Sequence, residues 1–554
     1  MRRRVFLLAL SAALSAQEVS QSGRRLRAAR PLVAQAERAK NGMVASANEL
    51  ASQAGVDIMK QGGNAVDAAV AVGFVLAVVH PEAGNLGGGG YMLVRMADGS
   101  ATAIDYKEQA PAAARTGMFR TEAEQNVGYK ASAVPGTVAG FAMAHARFGK
   151  LTWKQVLEPA RLLAKNGFPA SQRMEMILAL QVPVMKRFPE TAKVFLHGSD
   201  IPLKQGELVL QPDLAAAIER IQKNGPREFY EGVTAQRIDA DMRANNGTIT
   251  LDDLRAYRAI ERAPIASDYR GHPILAMGPS SSGGIAVLEM LNIMERFDLK
   301  IGEEGSSKAR HIHVEAARRA FRDRAEFSAD PAFYEVPVQR LIAKPHAAGL
   351  ARTIQLDRAT PMPAAEFDKE SNDTTHFSVI DPQGNIVSNT YTLNGFYGSQ
   401  VIAKGTGILL NDIMGGFGER GRNRIEPGKR PVSSMSPVIV LNKDNSPWLA
   451  LGSPGSQTIP NTVVQVISNM IDFKMSLRDA IDYPRIHHQG KPNRIDAEPG
   501  ALVVDVAERL KAMGHVINPV FRSQGDVHAV AVEPGTNMRL GWSDGRRGGH
   551  AIGY

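Results

Sequence analysis

Residues 375–394, THFSVIDPQGNIVSNTYTLN, hold two runs of alternating apolar and polar side chains joined by a Pro-Gln-Gly-Asn turn. Side chains on a strand point to opposite faces with a period of two, and Pro and Gly suit a turn, so the stretch predicts two paired strands. Two adjacent threonines, Thr374 and Thr375, stand at the entry to the first strand. The residues before them, about 341–373, contain Pro and Ala, are weakly periodic and become charged just before Asp373. They read as an exposed tail or linker. Hydroxyls at a junction between a tail and a buried strand need an explanation.

A hairpin needs covering layers, and the rest of the chain supplies them. Residues 43–80 read as two helices, the first stopping near Gly62-Gly63 and the second running from Asn64 to about His80, where Pro81 ends it. A glycine run, Gly87 to Gly90, precedes two alternating strands with a turn at 97–100. Helical patterns dominate 135–260, a strand follows at 272–277, and helices are expected over 284–297 and over the amphipathic run SKARHIHVEAARRAFRDRAEF. Beyond Thr374 come a strand pair at PVIVL and WLALG, helices at 459–473 and about 502–513, and a final hairpin of VHAVAVEP and RLGWS. Strands, helices and strands again predict a layered α/β sandwich whose strand begins at Thr374. With 554 residues, 44% of them apolar, the chain forms two domains or one large α/β body.

The first residues, MRRRVFLLALSAALSAQ, place arginines before an apolar run that is short for a membrane span, as in a signal peptide (1–16). Export is expected, to the periplasm or to the medium, with a basic lead-in over 17–40. The chain has no cysteine, which excludes disulfides, thiolate nucleophiles and Cys-ligated metal. Its formal charge of +9 is a mild bias, and the local cluster RGRNRIEPGKR lacks interleaved aromatics. Nucleic acid is therefore not an expected partner, and no stable membrane insertion is expected.

Several motifs have plainer readings. Gly87 to Gly90 is not followed by Lys-Ser/Thr, and the strand-then-helix context of a phosphate loop is reversed. His311 and Glu315 share a helix face with His313 nearby, but without an HExxH motif a solvated face is the reading. His487 and His488 are taken as structural. No GxSxG elbow occurs, and Ser371-Asn372-Asp373 is not the SDN triplet of penicillin-recognising enzymes. The threonines remain. A Thr hydroxyl needs a base, and the amine of the same residue can serve once that residue is the chain's N-terminus. An α-amino group titrates near 7.7–8.0 in reference peptides, which suits such work. Cleavage between Asp373 and Thr374 would make Thr374 both nucleophile and base, although Thr at a strand start also has a β-propensity explanation.

The run SNDTTHFSVID…GN…NTYTLN…GTGILLND, together with RPVSSMSPVIV, LGSPGS and the upstream GNAVDAAVA…GNLGGGGYMLVR, resembles the γ-glutamyltransferase family from about Met43 to Tyr554. The resemblance implies an N-terminal-nucleophile hydrolase with a four-layer αββα core, made as a proenzyme that cuts itself into a large subunit (41–373, after the leader) and a small one (374–554) that remain together as a heterodimer. It implies Thr374 as the attacking residue, Thr392 as the threonine that positions it, and Gly455 and Ser456 as the oxyanion loop. Ser433, Ser434 and Asn394 match residues that hold the donor, with Lys107 where the family has an arginine.

Lysine keeps the charge and loses the bidentate fork. Ile413 and Gly416 stand where the family has a glutamine and an acid that together hold the donor's α-ammonium. The segment from Phe417 to Lys429 is short, which implies an open site. The expected activity is cleavage of γ-glutamyl amides such as glutathione through an acyl-enzyme, with water or an amine as acceptor. The alternatives are an acylase using a glutaryl-type donor without the ammonium, and a non-catalytic binding relative. No metal or organic cofactor is expected, because nucleophile, base and oxyanion donors are all protein groups.

Overall fold

The paired strands form over Asp373–Ile380 and Ile386–Asn394, antiparallel, and every residue of both is buried. This computed structural model describes residues 35–198, 200–361 and 373–554. The expected leader, most of the lead-in and the part of the expected tail at 362–372 lie outside the described residues.

Complete burial of an alternating hairpin means that its polar face is inside too. Its polar side chains find partners in a second sheet: Ser378 Oγ donates to the His528 carbonyl at 2.9 Å and Ser388 Oγ to the Leu451 carbonyl at 3.0 Å. The apolar face meets the helix Ala65–Val79, where the Tyr391 hydroxyl donates to the Gly73 carbonyl at 2.9 Å. Here the alternation separates a sheet-facing side from a helix-facing side, with hydrogen bonds offsetting the burial of hydroxyls.

The hairpin is central in a seven-stranded antiparallel sheet ordered His550–Gly553, Met43–Ser46, Asp373–Ile380, Ile386–Asn394, Gly89–Arg95, Ala101–Asp105, Ile260–Arg262. A second seven-stranded sheet runs Glu37–Ala39, Arg539–Ser543, His528–Val532, Pro447–Leu451, Val438–Leu441, His272–Ala276, Ile265–Tyr269. Helices Glu49–Lys60 and Ala65–Val79 cover the first sheet; Gly283–Met294 packs on the second and carries Thr458–Ile471 and Ser307–Phe327 against it. The expected αββα layering is thus observed. The helix Ala65–Val79 starts where the sequence signals it, through a capping box between Asn64 and Asp67.

Five expectations need correction. Met43–Ser46, read as the start of the first helix, is a strand of the first sheet, and the helix begins at Glu49. The strand that carries Thr374 hydrogen-bonds from Asp373, one residue earlier than expected. The final hairpin does not close the chain: His550–Gly553 adds a further strand beside Met43–Ser46. Within the expected tail, Lys344–Ala351 is a helix with Ala347 and Ala351 buried, and the Ala359 N–H donates to the Met513 carbonyl at 2.6 Å. The helix Ser307–Phe327 is not solvated along the His311–Glu315 face: His311, His313 and Glu315 are all buried, because other elements close over the helix. Among the described residues no helix is long and apolar enough to cross a membrane.

Candidate functional site

Thr374 sits at an irregularity in its own strand pair. Asp373 is paired with Asn394 and Thr375 with Tyr391, so Thr392 and Leu393 together face Thr374. Such a bulge re-aims a side chain out of the regular ladder. It brings the Thr374 and Thr392 hydroxyls to 3.3 Å from each other. Each can also donate to the Asp373 carbonyl oxygen, both at 2.7 Å. The Asn394 N–H donates to Thr392 Oγ1 at 2.7 Å, which leaves the Thr392 proton directed at that carbonyl. The bond between Asp373 and Thr374 therefore has the Thr374 hydroxyl beside it and, independent of that group, the Thr392 hydroxyl donating to its carbonyl oxygen.

The glycine run has its role here. A Cβ on Gly88 would lie 2.1 Å from the Thr392 carbonyl oxygen and one on Gly90 2.4 Å from that of Thr390, so only glycine lets this strand approach the one that carries Thr392.

The hydroxyls open onto a cleft lined by Lys107, Asn394, Ser433 and Ser456 on its polar side and by Ile413, Gly416, Val432, Met435 and Ile459. Gly455 and Ser434 are not among its lining residues; each adjoins one that is. Ser456 has φ 58° and Gly455 φ 128°, and the loop enters the helix Thr458–Ile471 with Pro460 in its first turn. The short segment Ser433-Ser434 is tied to the start of another helix, since the Ser282 N–H and hydroxyl both donate to the Ser433 carbonyl, at 2.8 and 2.9 Å.

Charge is arranged around this cleft in ways the sequence reading did not include. The Lys107 ammonium is buried 2.8 Å from the carboxylate of Glu108, its neighbour in the chain. Asp412, next to the lining residue Ile413, accepts from the Gly395 N–H at 2.7 Å, and burial pushes its carboxyl up to about 7. Burial also raises the Asp373 carboxyl well above its ordinary range, against the pull of Arg547 3.6 Å away and of Arg173. Glu108 was legible as an acid beside Lys107, whereas Arg547 is too distant in sequence for any local pattern to link it to Asp373.

The two adjacent histidines and the basic cluster are held by contacts of their own. His487 bonds Gln489 and His488 accepts from the Gly490 N–H, both within their own turn. Lys429 and Arg430 of the basic cluster are buried, Lys429 against Glu426 at 2.8 Å and Arg430 against Asp105 at 3.7 Å.

The family model described as Gamma-glutamyltranspeptidase matches residues 51–554. A glutathione hydrolase proenzyme of Escherichia coli (strain K12) is 42% identical over 531 residues, covering 92% of this chain and 91% of that protein. The acylase ACY 1 proenzyme of Pseudomonas sp. (strain SE83) is 39% identical over 507 residues, covering 89% and 90%. Among solved structures, a cephalosporin acylase from Bacillus halodurans superposes with a TM-score of 0.84 at 27% identity, covering 95% of this chain and 98% of that one.

Proposed function

Because this chain belongs to the gamma-glutamyltranspeptidase family, we propose that it is an exported proenzyme that cuts itself before Thr374 and then transfers the acyl group of a γ-glutamyl amide to water or to an amine. The observation that carries this reading is the Thr374 hydroxyl lying at the peptide bond it would cut, with the Thr392 hydroxyl donating to the Asp373 carbonyl oxygen at 2.7 Å. Thr374 Oγ1 attacks the Asp373 carbonyl carbon, the C–N bond breaks, and the hydroxyl proton of Thr374 ends on the leaving nitrogen, which becomes the free α-amine of Thr374. The resulting ester between Asp373 and Thr374 Oγ1 is hydrolysed by water. The freed amine is then the base for the same hydroxyl in each later turnover.

In turnover Thr374 takes the acyl group and Thr392 holds the hydroxyl in line. The loop of Gly455 and Ser456 receives the oxyanion through backbone N–H groups. Ser433, Ser434, Asn394 and Lys107 hold the head of the donor. Intact mass and N-terminal sequencing test the first part: wild type gives a fragment beginning at Thr374, and Thr374→Ala stays whole. A wild type that remains one piece after long incubation would sink the proposal and favour a binding protein.

A second reading rests on a specific feature of the cleft. Ile413 and Gly416 offer an α-ammonium neither acceptor nor countercharge, and a buried ammonium without a partner costs several kcal/mol. Lys107, already paired with Glu108, still offers positive charge to a carboxylate. Both features suit a glutaryl-type donor, and acylases are among the relatives. Initial rates with γ-glutamyl and glutaryl 4-nitroanilides decide between the readings: faster glutaryl release assigns the chain to acyl donors lacking the ammonium.

A further inference from the structure

Away from the cleft, three helices bring Glu289, Asp323 and His346 to one point, with one ligand atom from each lying within 4.8 Å of the others. Glu289 comes from Gly283–Met294, Asp323 from Ser307–Phe327 and His346 from Lys344–Ala351. His346 Nε2 is 2.8 Å from Asp323 Oδ2 and 3.7 Å from Glu289 Oε1. Two ligand atoms on a tetrahedral zinc ion lie about 3.4 Å apart when its bonds are about 2.05 Å, so small rotamer shifts suffice.

Glu289 makes the cluster more than an acidic patch. Its side chain is 1% exposed, and neither carboxylate oxygen accepts a hydrogen bond. A buried carboxylate is normally satisfied by donors, and here one bare oxygen, Oε1, lies 3.7 Å from His346 Nε2 where the other two side chains meet. The nearby cations do not fill that point. Arg322 reaches only Asp323 Oδ1, at 3.3 Å and from a side chain 39% exposed. Lys344 is taken by Glu295 and Asp268, and Arg324 by the Ser282 hydroxyl. The other compact group of ligand types differs. Both oxygens of Glu315 are held by Arg318 and Arg319, and His311 and His515 bond each other at 2.7 Å.

We infer that Glu289, Asp323 and His346 form a binding site for one divalent transition-metal ion. An imidazole with two carboxylates suits zinc or manganese. The His346 side chain, 24% exposed, gives the ion a way in and leaves a coordination position for water. A metal there ties the helix that carries Ser282, and hence the Ser433 carbonyl, to the two helices outside it.

The test is calorimetric titration of Zn²⁺ alone into chelator-treated full-length protein, with thermal melts alongside. Wild type is expected to take up one equivalent and to melt higher with zinc, while Glu289→Gln and His346→Gln each weaken binding at least tenfold and lose the shift. His515→Gln, removed from the other histidine group, is expected to bind as wild type does. His346→Gln changes a partly exposed side chain, so a folded variant is available even if Glu289→Gln unfolds. Absence of stoichiometric uptake by wild type, or uptake that only His515→Gln abolishes, overturns the assignment.

Discussion

Ser456 holds φ at 58°, a conformation that an L side chain adopts at a cost of about 1 kcal/mol or more. Glycine would lose that strain and gain some unfolded-state entropy, so Ser456→Gly is expected to shift stability by less than about 1 kcal/mol, in the stabilising direction. Hydrolysis should be retained, because the backbone N–H is unchanged. A destabilisation beyond that size in a urea titration would mean that the Ser456 side chain holds the loop. Asp412 gives a prediction with a pH sign. Its folded carboxyl is raised by burial to about 7, whereas in the unfolded chain it titrates near 3.9. The unfolded form therefore gives up its proton first, and the contribution of Asp412 to stability falls as pH rises from about 4 through 7. Asparagine still accepts from the Gly395 N–H and never ionises. The stability of Asp412→Asn relative to wild type should climb over that window and level off above it, and a difference independent of pH would refute the ionisation. Neither residue's state was readable beforehand: Ser456 could be matched by motif, but a backbone angle and a burial-driven proton exist only once the loop is packed.

Elements were legible where local chemistry sets them. Asn64 and Asp67 form a capping box that favours a helix start, and Pro81 disfavours its continuation. Ser307–Phe327 was misread for the opposite reason, since its charged residues signal a wet face while Arg318, Arg319 and Glu315 are buried as mutual partners. Only long-range packing decides between a solvated and a paired charge. The glycine at 73, in an otherwise continuous apolar helix, is another packing feature. A Cβ there would come within 2.3 Å of the Phe141 ring, which is itself enclosed by Phe74, Tyr106 and Tyr391. Gly73→Ala gains about 1 kcal/mol in helix propensity and loses about 1–3 kcal/mol to overpacking. We expect a net loss, read as a lower urea midpoint. Because the Gly73 carbonyl takes the Tyr391 hydroxyl, and Tyr391 precedes Thr392, self-cleavage should slow as well. A variant as stable as wild type would show that this core yields.

At the scale of the molecule, the order of strands in the sheets was the least legible feature, because pairing between distant segments leaves no trace in local periodicity. The first sheet takes Met43–Ser46, Gly89–Arg95, Ala101–Asp105 and Ile260–Arg262 from before the proposed cut and Asp373–Ile380, Ile386–Asn394 and His550–Gly553 from at or after it. The two sources interleave: Met43–Ser46 lies between His550–Gly553 and Asp373–Ile380, and Gly89–Arg95 pairs with Ile386–Asn394. The second sheet sets four strands from after the cut between strands from before it. Neither fragment could keep a closed core without the other, since separating them would strip ladder hydrogen bonds from central strands and expose the face that packs on Ala65–Val79. Cleavage at Thr374 should therefore divide the chain without dividing the fold. On size-exclusion chromatography in increasing urea, the two fragments are expected to elute together until the concentration at which circular dichroism reports loss of secondary structure, and to part there in one step. Separation at lower urea, with structure retained in either piece, would show that the fragments fold as independent units and that the shared sheets do not hold the enzyme together.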